Sequence, residues 1–254
     1  MHKITRSYDY AFRMKPKFFI SAPFGNYLHP NGCIATTGTW TLKPRGNRLW
    51  SVIKTLRYNR IAKGWVNKLG LPNPGLHAGL EKTKSSEVLS IAEINKGDFE
   101  RMNDIIPVDQ NIEVNLSCPN VDRKLSWESA KVFSPVGIKG IRREWTIAKL
   151  SPLTTPEELE FVIEYLGFSQ LHFSNTLPTV KGGLSGPVLR EYTNDLIELV
   201  RDKWGSSVEI IAGGGVSDFG SVINYLSNGA DHISLGSVCF NPFKLRKLLR
   251  SLEL

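Results

Sequence analysis

Residues 208–252 near the end of the chain, VEIIAGGGVSDFGSVINYLSNGADHISLGSVCFNPFKLRKLLRSL, give the clearest indication of the fold. This stretch holds two short apolar runs, residues 208–214 and 232–237, and each is followed by a segment typical of a helix. Parallel strands that are buried on both faces give such nearly continuous apolar runs. The stretch therefore predicts two consecutive strand–helix units of an α/β fold.

The same alternation extends toward the start of the chain. Strands are predicted at residues 17–22, 33–39, 88–93, 111–117, 145–151, 170–176, 208–214 and 232–237, and helices at 156–166, 188–204, 217–227 and 242–252. Alternation repeated toward eight units favours a closed (β/α)8 TIM barrel, although counting strands leaves a doubly wound sheet open. Only ten residues, 23–32, separate the first two strands, so we expect a trimmed first βα unit.

Composition fits a single domain over residues 1–254, with 41% hydrophobic and 22% charged residues. No run approaches the roughly eighteen apolar residues of a spanning helix, so we expect no membrane partner. Three cysteines without metal-ligand spacing favour a reducing, cytoplasmic location. The net charge of +8 comes from scattered basic residues, which favours a solvated surface or anionic substrates over a nucleic-acid partner.

In a barrel of this kind, chemistry gathers at the carboxyl ends of the strands. The predicted ends offer amides, hydroxyls, one thiol and one lysine, without the paired carboxylates of a glycosidase or a histidine cluster for zinc. Glycines at 213–215 and at Gly236, before Ser237, follow the last two strands, where barrels often bind phosphate. A tight turn alone would explain either group, but two at neighbouring strand ends favour a phosphate site.

Cys118 and Lys149 carry the most distinctive chemistry. Cys118 lies in a polar loop, where a thiol could transfer a proton, although packing as a small apolar residue is the alternative. Lys149 interrupts an apolar run inside a predicted strand, which is costly unless the ammonium meets an anion or an electron-rich ring. We expect both side chains to contact a ligand, and we expect His172 and His232, inside predicted strands, to be structural.

Several motifs at these positions resemble the dihydroorotate dehydrogenase family. They are NLSCPN at 115–120, NKLGLPNPG at 67–75, GGLSGP at 182–187, GGGV at 213–216 and GTWTLKPRGN at 38–47. The enzymes of that family are FMN-dependent (β/α)8 barrels that oxidise dihydroorotate to orotate in pyrimidine synthesis. The resemblance runs, with gaps, from about residue 18 to residue 237, and NLSCPN in order with the next two motifs is its most specific part.

The resemblance implies a role for each matching residue. Cys118 would be the base that removes a proton from substrate C5 while hydride leaves C6 for the flavin, and Lys149 would contact the flavin's pyrimidine edge. A cysteine at this place matches the soluble class 1 enzymes. The implied FMN-binding residues are Ala22, Pro23, Gly25, Thr36, Thr37, Asn115, Lys149, Ser174, Gly186, Gly214, Gly215, Gly236 and Ser237. The implied substrate-binding residues are Asn67, Lys68, Leu69, Gly70, Leu71, Asn115, Asn120, Asn175 and Thr176, and no metal is implied.

The chain departs from the family at one cation. Class 1 enzymes carry a lysine at the end of strand two, where this chain has Thr37, and class 2 enzymes carry it after strand one, where this chain reads PFGN at 23–26. A charge-assisted contact is roughly twice as strong as a neutral one, so we expect weak dihydroorotate binding. Lys68 is the nearest substitute cation in the sequence, and Thr37→Lys is expected to strengthen orotate binding.

Three functions stay open at this point. The first is an FMN-dependent dehydrogenase that acts on a pyrimidine, with an electron acceptor that the sequence does not specify. The second is a flavoenzyme like tRNA-dihydrouridine synthase, whose general acid is also a cysteine before a proline. The third is a non-catalytic FMN- or pyrimidine-binding relic, because the lysine is missing. The motifs fit the first best, and the oligomeric state stays open, with a homodimer among the alternatives.

Overall fold

The computed structural model describes residues 15–46, 54–68, 70–117, 127–136 and 143–254. The barrel has eight parallel strands, which are β1 (Phe18–Ile20), β2 (Cys33–Trp40), β5 (Val88–Ile91), β6 (Ile112–Asn115), β7 (Thr146–Lys149), β8 (Gln170–Phe173), β11 (Glu209–Ala212) and β12 (His232–Leu235). They pair in the order β1-β12-β11-β8-β7-β6-β5-β2, and the pairing of β2 with β1 closes the barrel. Each lies within, or within one residue of, a predicted strand, so the (β/α)8 barrel is confirmed.

Helices cover the outside of the barrel, as the alternating sequence pattern requires. They are α1 (Leu76–Lys82), α2 (Asp98–Ile105), α3 (Pro156–Glu160, continued by a π-helical turn at Phe161–Tyr165), α4 (Leu189–Trp204), α5 (Phe219–Ser227) and α6 (Pro242–Ser251). The four predicted helices are α3 to α6, whereas α1 and α2 were not predicted. Among the described residues, no helix has the length and apolarity needed to cross a membrane.

Alternate residues of the barrel strands divide between two apolar clusters. The larger cluster packs the outer faces of the strands against the helices. The smaller one comes from strands around the wall, and its buried members are Phe19, Val88, Trp145, Ile147 and Ile211. It therefore fills part of the interior, and polar side chains occupy the rest, toward the carboxyl ends of the strands.

A single 3-10 turn, Phe24–Asn26, replaces the first crossover helix, which confirms the trimmed first βα unit. The buried amide of Asn26 donates to the carbonyl of Gly38 at 3.2 Å and accepts from its N–H at 3.1 Å. Gly25 approaches the same strand so closely that a Cβ there would lie 2.3 Å from the Thr36 carbonyl oxygen. The short connection thus braces the carboxyl end of β2.

A second, antiparallel sheet was not predicted. Its strands are β3 (Arg57–Asn59), β4 (Gly64–Asn67), β9 (Leu177–Thr179) and β10 (Gly182–Leu184), in the order β3-β4-β10-β9. The β9–β10 hairpin follows β8, and Trp65 of β4 packs on Phe240, with ring centroids 4.6 Å apart. Phe240 in turn meets Phe24 at 4.8 Å. The sheet therefore lies over the carboxyl ends of barrel strands, next to the loops that carry the predicted ligands.

Candidate active site

The polar interior of the barrel is organised around the carboxylate of Glu113, which is almost completely buried. It accepts a hydrogen bond from Ser90 Oγ at 2.8 Å, contacts His172 Nδ1 at 2.6 Å and lies 3.4 Å from Lys149 Nζ. These four side chains come from β5 to β8, whose inward-facing residues lie side by side in the barrel. The anion that Lys149 needs is thus part of the protein, so the burial of Lys149 does not by itself indicate a ligand.

The charges in this cluster follow from its burial. Burial alone would raise the pKa of Glu113, but the ammonium of Lys149 and the contact with His172 lower it to about 2, so the carboxylate is ionised. Burial and the nearby Lys149 charge lower the pKa of His172. An ionised carboxylate can only accept, so a neutral His172 donates its Nδ1 proton and carries none on Nε2. The cluster therefore holds one positive and one negative charge.

A chain of hydrogen bonds runs from this cluster to the predicted substrate residues. Ser90 Oγ lies 3.1 Å from Thr39 Oγ1, and Asn115 Nδ2 donates to Thr39 Oγ1 at 3.2 Å. Ser117 Oγ donates to Asn115 Oδ1 at 2.8 Å and accepts from Asn175 Nδ2 at 2.8 Å. Because every amide in the chain has a partner, both asparagine side chains are held in one orientation.

Three predicted site residues, Leu69, Cys118 and Asn120, lie outside the described residues. Ser117 directly precedes Cys118 in the chain and is the last described residue of the NLSCPN motif. The proton-transfer role of Cys118 therefore stays a prediction.

The Thr37 side chain points away from the barrel interior, so only its backbone could take the predicted place at the flavin. Its side chain is fully buried, with Oγ1 2.6 Å from Thr83 Oγ1 and accepting from Trp40 Nε1 at 3.0 Å. Thr83 caps the carboxyl end of α1, outside the barrel. A shift of register between Thr37 and Trp40 turns Thr39 inward, toward Ser90. Only the backbone of Thr37 remains at the site, so a lysine introduced there would not reach the interior by simple replacement.

The predicted pyrimidine-holding loop lies against the second sheet. Asn67 pairs with Gly183 across β4 and β10, and a Cβ on Gly183 would lie 2.2 Å from Thr176 Oγ1. Asn67 and Thr176 therefore approach β10 from two sides, and Thr176 follows Asn175 of the interior network. Lys68 and Gly70 are exposed, and Leu71 is half-buried.

Asn73 connects this loop to Thr41, the residue directly after β2. Its Oδ1 accepts from the Thr41 amide at 3.2 Å and from the Gly75 amide at 2.9 Å, while Nδ2 donates to the Leu71 carbonyl at 2.8 Å. The Asn73 side chain thus holds the GLPNPG part of the motif in place.

The predicted phosphate site lies where β11 and β12 end side by side. Gly214 and Gly215 have positive φ angles of 81° and 71°, and a Cβ on Gly215 would lie 2.8 Å from the Gly186 carbonyl oxygen. Among the described residues, no hydrogen bond uses the amides of Gly214, Gly215, Gly236 or Ser237 as donors. Unpaired amides at two adjacent strand ends fit a phosphate group, because they offer donors that the protein itself leaves unsatisfied.

The remaining predicted cofactor residues lie on or directly after other strands of the barrel. Ala22 and Pro23 follow β1 and are half-buried, and Thr36 is buried in β2. Ser174 is buried after β8, and a Cβ on Gly214 would lie 3.1 Å from its Oγ. Ala22, Pro23 and Ser174 therefore lie directly after their strands, whereas Thr36 lies farther back in β2, opposite the first residue of β5, and the Thr37 side chain points outward.

A (β/α)8 barrel that carries a hydrogen-bonded asparagine network, a buried lysine and a glycine turn with unpaired amides is typical of a flavin-dependent oxidoreductase. The family model described as dihydroorotate dehydrogenase matches residues 27–253. The chain therefore belongs to the dihydroorotate dehydrogenase family of oxidoreductases, as a divergent member, and the predicted resemblance is confirmed.

Individual relatives agree with this assignment. The catalytic subunit of dihydroorotate dehydrogenase B (NAD(+)) of Endomicrobium trichonymphae is 29% identical over 229 residues, which cover 79% of this chain and 72% of the relative. The subunit of the same name from Caldicellulosiruptor bescii is 29% identical over 256 residues, or 87% and 81% of the two chains. The crystal structure of the Eimeria tenella enzyme in complex with ferulenol superposes with a TM-score of 0.71 at 19% identity, covering 93% of this chain and 80% of that one. This last likeness supports the fold.

Sequence reasoning missed Glu113, Ser90 and Thr39, and it expected a structural role for His172 without indicating its contact with Glu113. A usable signal was present, because Glu113 precedes Asn115 by two residues in a strand and must share its face. Asn115 pairs with Lys149 in the observed register. Glu113 and Lys149, which carry opposite charges on neighbouring strands, therefore both face the barrel interior. His232 does lie apart from the site: its Nδ1 accepts from the Lys17 amide, and its Nε2 lies 2.6 Å from Glu209, near the amino end of β12.

Proposed function

We propose that this protein oxidises a dihydropyrimidine, with dihydroorotate as the substrate and FMN as the hydride acceptor. The observation that carries the proposal is the hydrogen-bonded chain from Glu113 to Asn175, which lies in the same barrel end as the unpaired glycine amides. One set of groups suits a pyrimidine and the other a phosphate, and the family is FMN-dependent in general.

The residues present fit FMN. The amides after β11 and β12 would hold its phosphate, and Lys149 would face the pyrimidine edge of its ring system. When bound, FMN supplies the two-electron acceptor that no side chain can provide. The positive charge of the Lys149 ammonium would stabilise negative charge on a group bound beside it. The Glu113 carboxylate keeps Nζ within the interior and offsets part of the positive charge of Lys149.

The side chains that would recognise the substrate are neutral amides and hydroxyls. Asn67, Asn175 and Thr176, with Asn115 and Asn120 of the NLSCPN motif, offer the amide and hydroxyl groups that complement pyrimidine carbonyls and N–H groups. The Thr37 side chain is neutral and points outward, and the described strand β2 (Cys33–Trp40) contains no cation for the substrate carboxylate. Lys68 is exposed in the adjoining loop and is the candidate for this contact, and we expect slow turnover.

Cys118 is proposed to accept the proton that leaves substrate C5. A cysteine can do so once it is a thiolate, and a general base typically contributes on the order of a hundred- to ten-thousand-fold in rate. The curated relatives carry NAD(+) and a catalytic subunit in their names. We extend this to propose that electrons leave through a second subunit to NAD(+).

The experiment is the anaerobic reduction of bound flavin by dihydroorotate, followed by the loss of flavin absorbance. We expect Cys118→Ala to slow this reduction at least a hundredfold while FMN binding is kept. Cys33→Ala is the matched control, because Cys33 begins β2 at the opposite end of the strand from the site, and it should reduce at the parent rate. Equal rates in all three proteins would reject the role of Cys118. A parent that holds FMN but is never reduced would favour the relic instead.

A further inference from the structure

Three consecutive carbonyl groups at the glycine turn, those of residues 213, 214 and 215, are each held by a side chain from a neighbouring helix. Thr193 Oγ1 donates to the first at 3.1 Å, Tyr225 OH donates to the second at 2.5 Å, and Arg190 Nε donates to the third at 2.8 Å. Thr193 and Arg190 belong to α4, and Tyr225 belongs to α5. The three carbonyls therefore point toward these helices.

Peptide geometry fixes the direction of the next three amides. In a planar trans peptide, the N–H of one residue points opposite to the carbonyl of the residue before it. The amides of Gly214, Gly215 and Val216 therefore point away from the donors that hold the carbonyls. Within the described part of the chain, none of these three amides donates a hydrogen bond. They are aimed donors without an acceptor.

We propose that Thr193, Tyr225 and Arg190 are positioning residues that aim these amides at the phosphate of FMN. This rests on the proposed function in one respect, namely that the chain binds FMN. Donors that are already oriented need no reorganisation when the anion arrives, so the phosphate is bound more tightly than by a free turn.

Each of the three donors is itself held in place. Thr193 Oγ1 lies 3.1 Å from Ser174 Oγ; since the threonine proton goes to the carbonyl, Ser174 is the donor in that contact. Tyr225 is fully buried, and burial raises its pKa to about 12, so its hydroxyl keeps its proton. Arg190 also donates from Nη2 to Ser217 Oγ at 2.8 Å. These three side chains are therefore themselves held in position against the glycine turn at residues 213–215.

The test compares FMN with riboflavin, which has the same ring system and lacks the phosphate. Dissociation constants of both are measured by flavin fluorescence for the parent and for Tyr225→Phe. One neutral hydrogen bond corresponds to about a three- to tenfold change in affinity, so FMN binding should weaken by that factor while riboflavin binding stays unchanged. Tyr192→Phe is the control, because Tyr192 also lies in α4 but makes no hydrogen bond to the turn among the described residues, and it should leave both constants unchanged.

If Tyr225→Phe weakens both flavins equally, or neither, the hydroxyl only supports the fold and the positioning claim is overturned. If that variant does not fold, Arg190→Lys decides in its place, because it keeps the charge while losing the Nε donor to the carbonyl. A parent that prefers FMN over riboflavin, with ratios unchanged in every variant, overturns the positioning claim alone. A parent that binds neither flavin overturns the proposed function as well.

Discussion

Glu113→Gln is the substitution whose cost the structure specifies best. It removes the charge that pairs with Lys149 and leaves the ammonium buried beside a neutral amide. A pKa lowered from 4.5 to about 2 makes the ionised carboxylate more favourable in the folded state by about 3 kcal/mol. Breaking a buried pair by removing one partner costs about 3–5 kcal/mol in other proteins, which agrees. We expect the free energy of unfolding at pH 7 to fall by about 3 kcal/mol or more.

The assay is urea unfolding followed by circular dichroism, with Glu209→Gln as the matched control. Glu209 also contacts a histidine, His232 at 2.6 Å, but its side chain is 34% exposed, so water can compensate for the lost charge. We expect the control to lose clearly less stability than Glu113→Gln. If Glu113→Gln stays within about 0.5 kcal/mol of the parent, the range of ordinary surface substitutions, the buried charge pair does not exist as described.

The same cluster predicts an acid-labile fold. The folded-state pKa of Glu113 lies below its unfolded value, so its contribution is present above pH 4.5 and is lost as the pH falls toward about 2. The pKa of His172 is also lowered, so the unfolded chain gains a proton first and stability declines once the pH drops below 6.5. Unfolding curves across this range should show His172→Gln losing the upper part of the decline. An unchanged pH dependence in this variant would contradict the assignment.

Two further predictions concern residues near the site. Thr37→Lys should lower the melting temperature and leave orotate affinity unimproved, because it places an ammonium in a fully buried, outward position; tighter orotate binding in a titration would show that the side chain reaches the interior. Gly215→Ala should destabilise the protein more than Gly205→Ala in thermal melts: both glycines have positive φ, but a Cβ would clash at 2.8 Å only at Gly215, and equal losses would mean that the turn relaxes.

The barrel was predictable because its strands are buried on both faces and are therefore recognisable in the sequence as apolar runs. The second sheet was not, because β9 and β10 are three residues long and contain Pro178 and two glycines, which strand propensity disfavours. Pairing with the β3–β4 hairpin and packing of Trp65 on Phe240 stabilise them instead. Tertiary contacts of this kind cannot be recognised from the local sequence pattern.

Site prediction divided along the same line. Motif residues such as Asn115 and Asn175 do lie together, because the carboxyl ends of barrel strands meet. The face presented by Thr37 depends on a register shift within β2, and strand alternation alone does not reveal where such a shift falls. The pairing of Lys149 with Glu113 required the strand register as well as the sequence.

Flavin binding to the purified protein shows whether this barrel end holds FMN. The visible absorption spectrum shows whether flavin is retained, and melting curves with and without added FMN show whether it binds the folded state. We predict a yellow protein or, if the flavin is lost in purification, a melting temperature that rises with FMN concentration. A colourless protein whose melting temperature does not respond to FMN would contradict FMN binding.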